Sequence, residues 1–127
     1  MNFEPITAPD APAPIGPYSH AIRADRWLFC SGQTPIDPDT GALVEGDISS
    51  QAARALANVG AVLSAAGLTY ADVVKTTIFL IDMNDFAAVN AVYERYFGSS
   101  KPARSTVAVA ALPKGARVEI EAIAFAQ

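Results

Sequence analysis

Two hydrophobic periods alternate along this chain, and the places where one gives way to the other mark its elements. From 102 to 121 the period is two. Val107, Val109 and Ala111 alternate with small residues in a first arm, and Val118, Ile120, Ala122 and Ala124 alternate with Arg117, Glu119 and Glu121 in a second. Such alternation marks strands with two unlike faces. Pro113-Lys114-Gly115 reads as a tight turn between them, because proline presets a negative φ and glycine accepts a positive one. The stretch therefore predicts a hairpin, with Glu119 opposite a position near 109.

Upstream, the period changes to 3.6. Over 47–66, Ala52, Leu56, Val59, Leu63 and Ala66 recur at spacings of three and four, and Gly67 follows as a stop signal. A second helix is expected over 85–97, with Asn84 as its N-cap, Phe86, Val89, Tyr93, Tyr96 and Phe97 on its buried side, and Gly98 at its end. Between the helices, 73–81 carries the apolar run Thr77-Ile78-Phe79-Leu80-Ile81 and reads as a central strand. Two short strands are expected over 18–22 and 27–30 around Ala24-Asp25-Arg26, with Ser31 and Gly32 shaping a turn or bulge after the second. Five prolines within 1–17 predict an extended segment held by docking, since proline cannot donate to a ladder. The order strand, strand, helix, strand, helix, strand, strand predicts an α+β fold. It is a single mixed β-sheet with two helices packed on one face, in one domain over 1–127.

Composition narrows the function. Half of the residues are hydrophobic, which excludes a disordered chain. The net charge of −4 argues against a nucleic-acid surface. No apolar run approaches the ~18–20 residues of a membrane helix. The N-terminus has neither the basic start nor the apolar stretch of a secretory signal, so a cytoplasmic location is expected. Cys30 is the one cysteine and cannot close an intrachain disulfide; with no basic neighbour, it reads as a small core residue. One histidine and one cysteine leave almost nothing for a zinc site, and one histidine builds no convincing Ser-His-Asp set.

The remaining candidates are Arg104 and Glu119. A guanidinium is a planar fork that matches a carboxylate through two parallel bonds, so Arg104 suits the acid group of a small substrate. Glu119 would handle water or a proton beside it. On residue type alone, a surface ion pair for Arg104 and a solvated face shared by Glu119 and Glu121 are the first readings. In the expected hairpin the two side chains stand about 16 Å apart, at ~3.3 Å per residue. A common pocket would then take them from neighbouring chains. Tyr18 and Tyr93 read as core positions, His20 as an exposed strand position, and Asn90 as one step off the apolar stripe of its helix.

Seven motifs, in order, carry a resemblance: Ile15-Gly16-Pro17-Tyr18-Ser19, Ser31-Gly32-Gln33, Val74-Lys75-Thr76-Thr77, Asp82-Met83-Asn84-Asp85-Phe86, Val89-Asn90, Pro102-Ala103-Arg104-Ser105 and Leu112-Pro113-Lys114-Gly115. Together they resemble the RidA (YjgF) family of reactive intermediate deaminases, from about residue 10 to the C-terminus. The resemblance implies a chorismate-mutase-like fold, a homotrimer with pockets between subunits, and no metal or cofactor. It implies hydrolysis of enamine and imine acids such as 2-aminoacrylate, 2-iminopropanoate and 2-iminobutanoate to 2-keto acids and ammonia. It assigns the substrate carboxylate to Arg104, the water to Glu119, and further substrate contacts to Tyr18, Ser31, Gly32, Asn90 and Thr106. Relatives often carry cysteine where this chain has Thr106, and the loop 98–101 is shorter than in some of them. Two other functions stay open at this stage: a non-catalytic small-carboxylate binder or chaperone-like trimer, and a ribonuclease or translation inhibitor.

Overall fold

The computed structural model describes residues 2–127. Its strands are β1 (Phe3–Ile6), β2 (Ala21–Ala24), β3 (Trp27–Gln33), β4 (Val73–Leu80), β5 (Ala103–Ala108) and β6 (Val118–Phe125). Two helices, α1 (Ile48–Ala65) and α2 (Phe86–Phe97), cover one face of the sheet. The strand order is β1-β2-β3-β6-β4-β5, and only β4 and β5 run parallel. That mixed sheet with two helices is the expected architecture. No helix of the described residues is long and apolar enough to cross a membrane.

The helices form where the periodicity puts them, with local chemistry closing their ends. Asp47 caps α1 by accepting from the Ser50 N–H at 2.9 Å, a contact worth about 1 kcal/mol. At the other end Gly67 takes φ 77°. The Gly67 and Leu68 N–H groups then return to the Ser64 and Leu63 carbonyls, satisfying acceptors the helix leaves open. Ala52, Ala55, Leu56, Val59, Val62 and Leu63 are wholly buried, and the two alanines let α1 lie close to the sheet. From the sheet Leu28, Ile78, Leu80, Val118 and Ile120 complete the core. The cap of α2 differs from expectation. Asn84 lies inside a 3-10 turn (Met83–Asp85), and the Asp82 carboxylate caps that turn by accepting from the Asn84 N–H at 2.9 Å.

The hairpin expected over 102–121 is not formed. β5 and β6 flank β4 instead: β5 pairs with it in parallel through Thr76↔Arg104, and β6 antiparallel through Phe79↔Glu119. The 109–117 loop, with its Pro113–Gly115 turn, carries the chain past the end of β4. There the Val109 N–H donates to the Leu80 carbonyl and the Ile81 N–H to the Arg117 carbonyl. Alternation along a strand describes its two faces and is silent about which strand lies beside it.

The N-terminal segment also differs. Residues 3–6 form an edge strand paired antiparallel to β2, and Pro5 is tolerated there because an edge strand has one unpaired side. Tyr18 precedes β2 and is exposed, and His20 is buried. The face of the sheet turned away from the helices carries Trp27, Phe29, Phe79, Val107, Ile123 and Phe125, with Phe29 opposite Ile123 and Phe79 opposite Val107.

Candidate active site

Two concavities hold nearly all the candidate residues, and they divide Glu119 from Arg104. The first is a cleft of about 640 Å³. The end of β3 forms its floor, residues 12–18 its outer wall, and the loop after β3 and the turn before β6 its rim. Tyr18, Ser31, Gly32 and Glu119 all line it.

The register explains how Glu119 reaches that floor. β3 pairs regularly with β6 up to Cys30↔Ala122, then slips through a bulge before Gln33↔Ile120. The bulge brings Gly32 under the Glu119 side chain. A Cβ on Gly32 would overlap the Glu119 Oε2, so only glycine leaves room for the carboxylate there. Burial pushes the Glu119 carboxyl above the ordinary carboxylate range, and the nearby Glu121 charge adds to the shift. A carboxyl with raised proton affinity suits proton exchange with a bound water.

Ser31 is already engaged. Its Oγ donates to the Ser19 carbonyl at 2.7 Å and its N–H donates to the His20 carbonyl at 3.0 Å, fixing the chain just after Tyr18. The Tyr18 hydroxyl accepts from the Ile15 N–H at 3.3 Å, and the residue lines the cleft. Three lining residues carry chemistry that the sequence reading did not assign to a site: His20, Gln33 and Lys114. Lys114 stands on the rim in a left-handed conformation, φ 57°, and its Nζ donates to the Gly41 carbonyl at 2.8 Å. Its place in a Pro-Lys-Gly turn was the available signal. Cys30 is buried beneath the floor, and burial pushes its thiol up to about 12, so it stays protonated and unreactive.

The second concavity is a groove of about 280 Å³ between α2 and the segment leading into β5. Arg104 and Asn90 line it together with Tyr93, Glu94, Lys101 and Pro102. Arg104 donates through Nη1 to the Asn90 Oδ1 at 2.8 Å. Its guanidinium carbon lies 4.9 Å from the Tyr93 ring centre and 5.5 Å from that of Phe86. The Tyr93 hydroxyl is itself bonded to the Thr76 Oγ1 at 2.7 Å, which locks that ring to β4. Rings and a neutral amide orient the fork without neutralising it. The ion pairs among the described residues, Arg23–Glu4 and Arg117–Asp85, leave Arg104 aside. Thr106 lines neither concavity, and its Oγ1 is buried with no hydrogen-bond partner.

Arg104 pairs with Thr76 and Glu119 with Phe79, so they are offset by three residues along β4, about 10 Å, and by two strand spacings, roughly another 10 Å. They also project from opposite faces. Arg104 lies under α2, whereas Glu119 shares the helix-free face with Phe79. One small substrate cannot touch both side chains of a single chain.

Comparison with known proteins adds an independent line. The family model described as endoribonuclease L-PSP matches residues 8–126. The 2-iminobutanoate/2-iminopropanoate deaminase of Capra hircus is 56% identical over 119 residues, 94% of this chain and 87% of that protein. Among solved structures, a protein of the conserved Rid family from Yersinia pestis has a TM-score of 0.95 at 52% identity, covering 98% of this chain and 99% of that one. TdcF of E. coli, solved with bound serine, has a TM-score of 0.92 at 42% identity, again over 98% and 99% of the two chains.

Proposed function

The chain belongs to the endoribonuclease L-PSP family, the RidA/YjgF family of its motifs, and on that premise we propose that it hydrolyses reactive 2-imino acids to 2-keto acids and ammonia. 2-Iminobutanoate, 2-iminopropanoate and its enamine form 2-aminoacrylate are the substrates of this reading, after the name of the deaminase relative. The observation that carries it is the division of the site. An accessible, oriented cation and a half-buried acid of raised proton affinity lie on opposite faces of one sheet. They meet over one substrate only where two copies abut. The apolar, helix-free face around Phe29, Phe79 and Val107 supplies a seat for a neighbouring copy, and cyclic repetition of one such contact closes a homotrimer.

In that arrangement Arg104 of one subunit takes the substrate carboxylate in its free fork and fixes the position of C2. Glu119 of the next subunit lies on the water side. The iminium carbon is already electrophilic. Water adds to it, a C–O bond forms, and the C=N π pair moves to nitrogen. Glu119 accepts a proton from the added water and returns it to the nitrogen. The carbinolamine then expels ammonia as its hydroxyl oxygen forms the carbonyl. Imino acid and water become keto acid and ammonium, with no change of oxidation state.

Subunit complementation tests this reading. Arg104→Ala and Glu119→Gln are each expected to lower turnover of freshly generated 2-iminopropanoate by about a hundredfold or more. When the two variants are co-assembled at random in a trimer, about a quarter of the sites combine an intact Arg104 with an intact Glu119. Recovery of about a quarter of the wild-type rate is therefore expected. A co-assembled mixture as inactive as its parents would exclude a site shared between chains.

A further inference from the structure

His20 is the chain's one histidine, it is buried, and the chemistry above leaves it unused. It stands just before β2 and lines the Glu119 cleft from behind. Its ring spans two backbone groups of the N-terminal segment. Nδ1 accepts from the Ala8 N–H at 3.0 Å, and Nε2 faces the Pro12 carbonyl at 2.7 Å. An amide N–H only donates and a carbonyl only accepts, so these partners select the neutral ring with its proton on Nε2. The pinned segment is the foot of the cleft's outer wall. Its Ala8 and Ala11 are buried, its Pro12 lines the cleft, and Ala13, Ile15 and Tyr18 continue that lining.

We infer that His20 is a positioning residue for the deaminase site: a neutral imidazole that pins residues 8–12 and thereby holds the Tyr18 wall against the cleft. The inference rests on the function proposed above, but its geometry does not. A second proton on the ring turns Nδ1 from acceptor to donor, sets two donors face to face at Ala8, and abolishes that bond. The Pro12 bond survives protonation, so the wall loosens at its N-terminal anchor. The charged groups around the ring come from several elements. Glu119 of β6 and Lys114 of the preceding turn share the cleft, and Asp10 sits exposed on the pinned segment. Asp37, after β3, is tied to the Asp39 N–H. Arg23 of β2 reaches the Ala66 carbonyl at 2.7 Å, away from the ring, and β3 carries no charge.

The test compares wild type, His20→Gln and His20→Ala at pH 8. A glutamine amide offers an acceptor and a donor, as the neutral ring does. The KM of His20→Ala for the imino acid is expected to lie about five- to tenfold above that of wild type with kcat changed far less, and His20→Gln should restore most of that loss. Hydrogen exchange at the Ala8 amide supplies a readout apart from turnover. Protection is expected in wild type and in His20→Gln and lost in His20→Ala. A KM unchanged in His20→Ala, or Ala8 protection kept without the ring, would overturn the inference. An inactive wild type at pH 8 would sink the deaminase reading instead, with Ala8 exchange still deciding the pin.

Discussion

The Glu119 cleft and the Arg104 groove are built from one sheet, yet they treat their charges in opposite ways. The carboxylate of Glu119 is half-buried against a glycine, and burial makes its ionised form costly. The guanidinium of Arg104 is left exposed, resting on Tyr93 and Phe86 and steered by Asn90. The first environment suits a group that must exchange a proton. The second suits a group that must keep its charge and hold one direction. Each half lacks what the other has, and the proposed function is the one that joins them across two copies.

The largest effects should come from removing either charge. Arg104→Ala is expected to lower kcat/KM by about a hundred- to a thousandfold through loss of a charge-assisted, two-pronged contact. Arg104→Lys should recover little, because an ammonium offers neither the planar fork nor the stacked face. Glu119→Gln is expected to lower kcat by about a hundred- to ten-thousandfold with a smaller change in KM. Steady-state assays that showed the reverse division, with KM carried by Glu119 and kcat by Arg104, would break the assignment of roles.

Gly32→Ala sharpens the comparison on the acidic side. The new methyl claims the space of the Glu119 Oε2, so the carboxylate must swing away while the strand pairing stays. A fall in kcat of about ten- to a hundredfold is expected, with thermal stability changed far less than activity. On the cationic side, Asn90→Ala leaves the rings under Arg104 but removes its steering bond. KM should rise about tenfold with kcat nearly kept. Equal losses in kcat and KM from both substitutions would mean that the two regions do not divide binding from proton transfer.

How much of this was legible in the sequence follows from which interactions are local. Asp47, Gly67 and the 3.6-residue stripe of α1 act on their own helix, and so the helix could be read. The partners of β5 and β6 could not, because β4, which lies between them, comes from a segment more than twenty residues upstream. The inference that Arg104 and Glu119 cannot share a substrate within one chain stands, but for another reason: they sit on opposite faces, whereas the expected hairpin only spaced them along a ladder. His20 looked exposed from its alternation with Tyr18 and Ile22. A proline-rich segment with little pattern of its own covers it, and that cover is a tertiary fact. The role of Gly32 depends on a side chain 87 positions away, Glu119, and its adjacency to serine gave no hint of that.

The smallest expected effect concerns stability, and it separates the two regions most cleanly. A carboxyl whose folded value lies above its unfolded one binds its proton more tightly in the native state. Glu119 therefore favours the fold where it is protonated, and that contribution is lost as pH rises through its raised value. Wherever it is ionised, the group is a burden on the native state, imposed by burial first and by Glu121 second. Glu119→Gln keeps the shape and removes the charge, so it should raise Tm at pH 7 by about a few degrees while lowering turnover. The gain should shrink as the pH is lowered through the raised carboxyl range, because the wild-type group then becomes neutral as well. Arg104→Gln offers the contrast: its exposed cation imposes no comparable burden, so its Tm difference from wild type should stay flat over the same pH interval. Calorimetry of both variants decides the matter. A Glu119→Gln difference that is constant with pH, or that widens in acid, would show that burial at Gly32 does not set the proton affinity of this carboxylate.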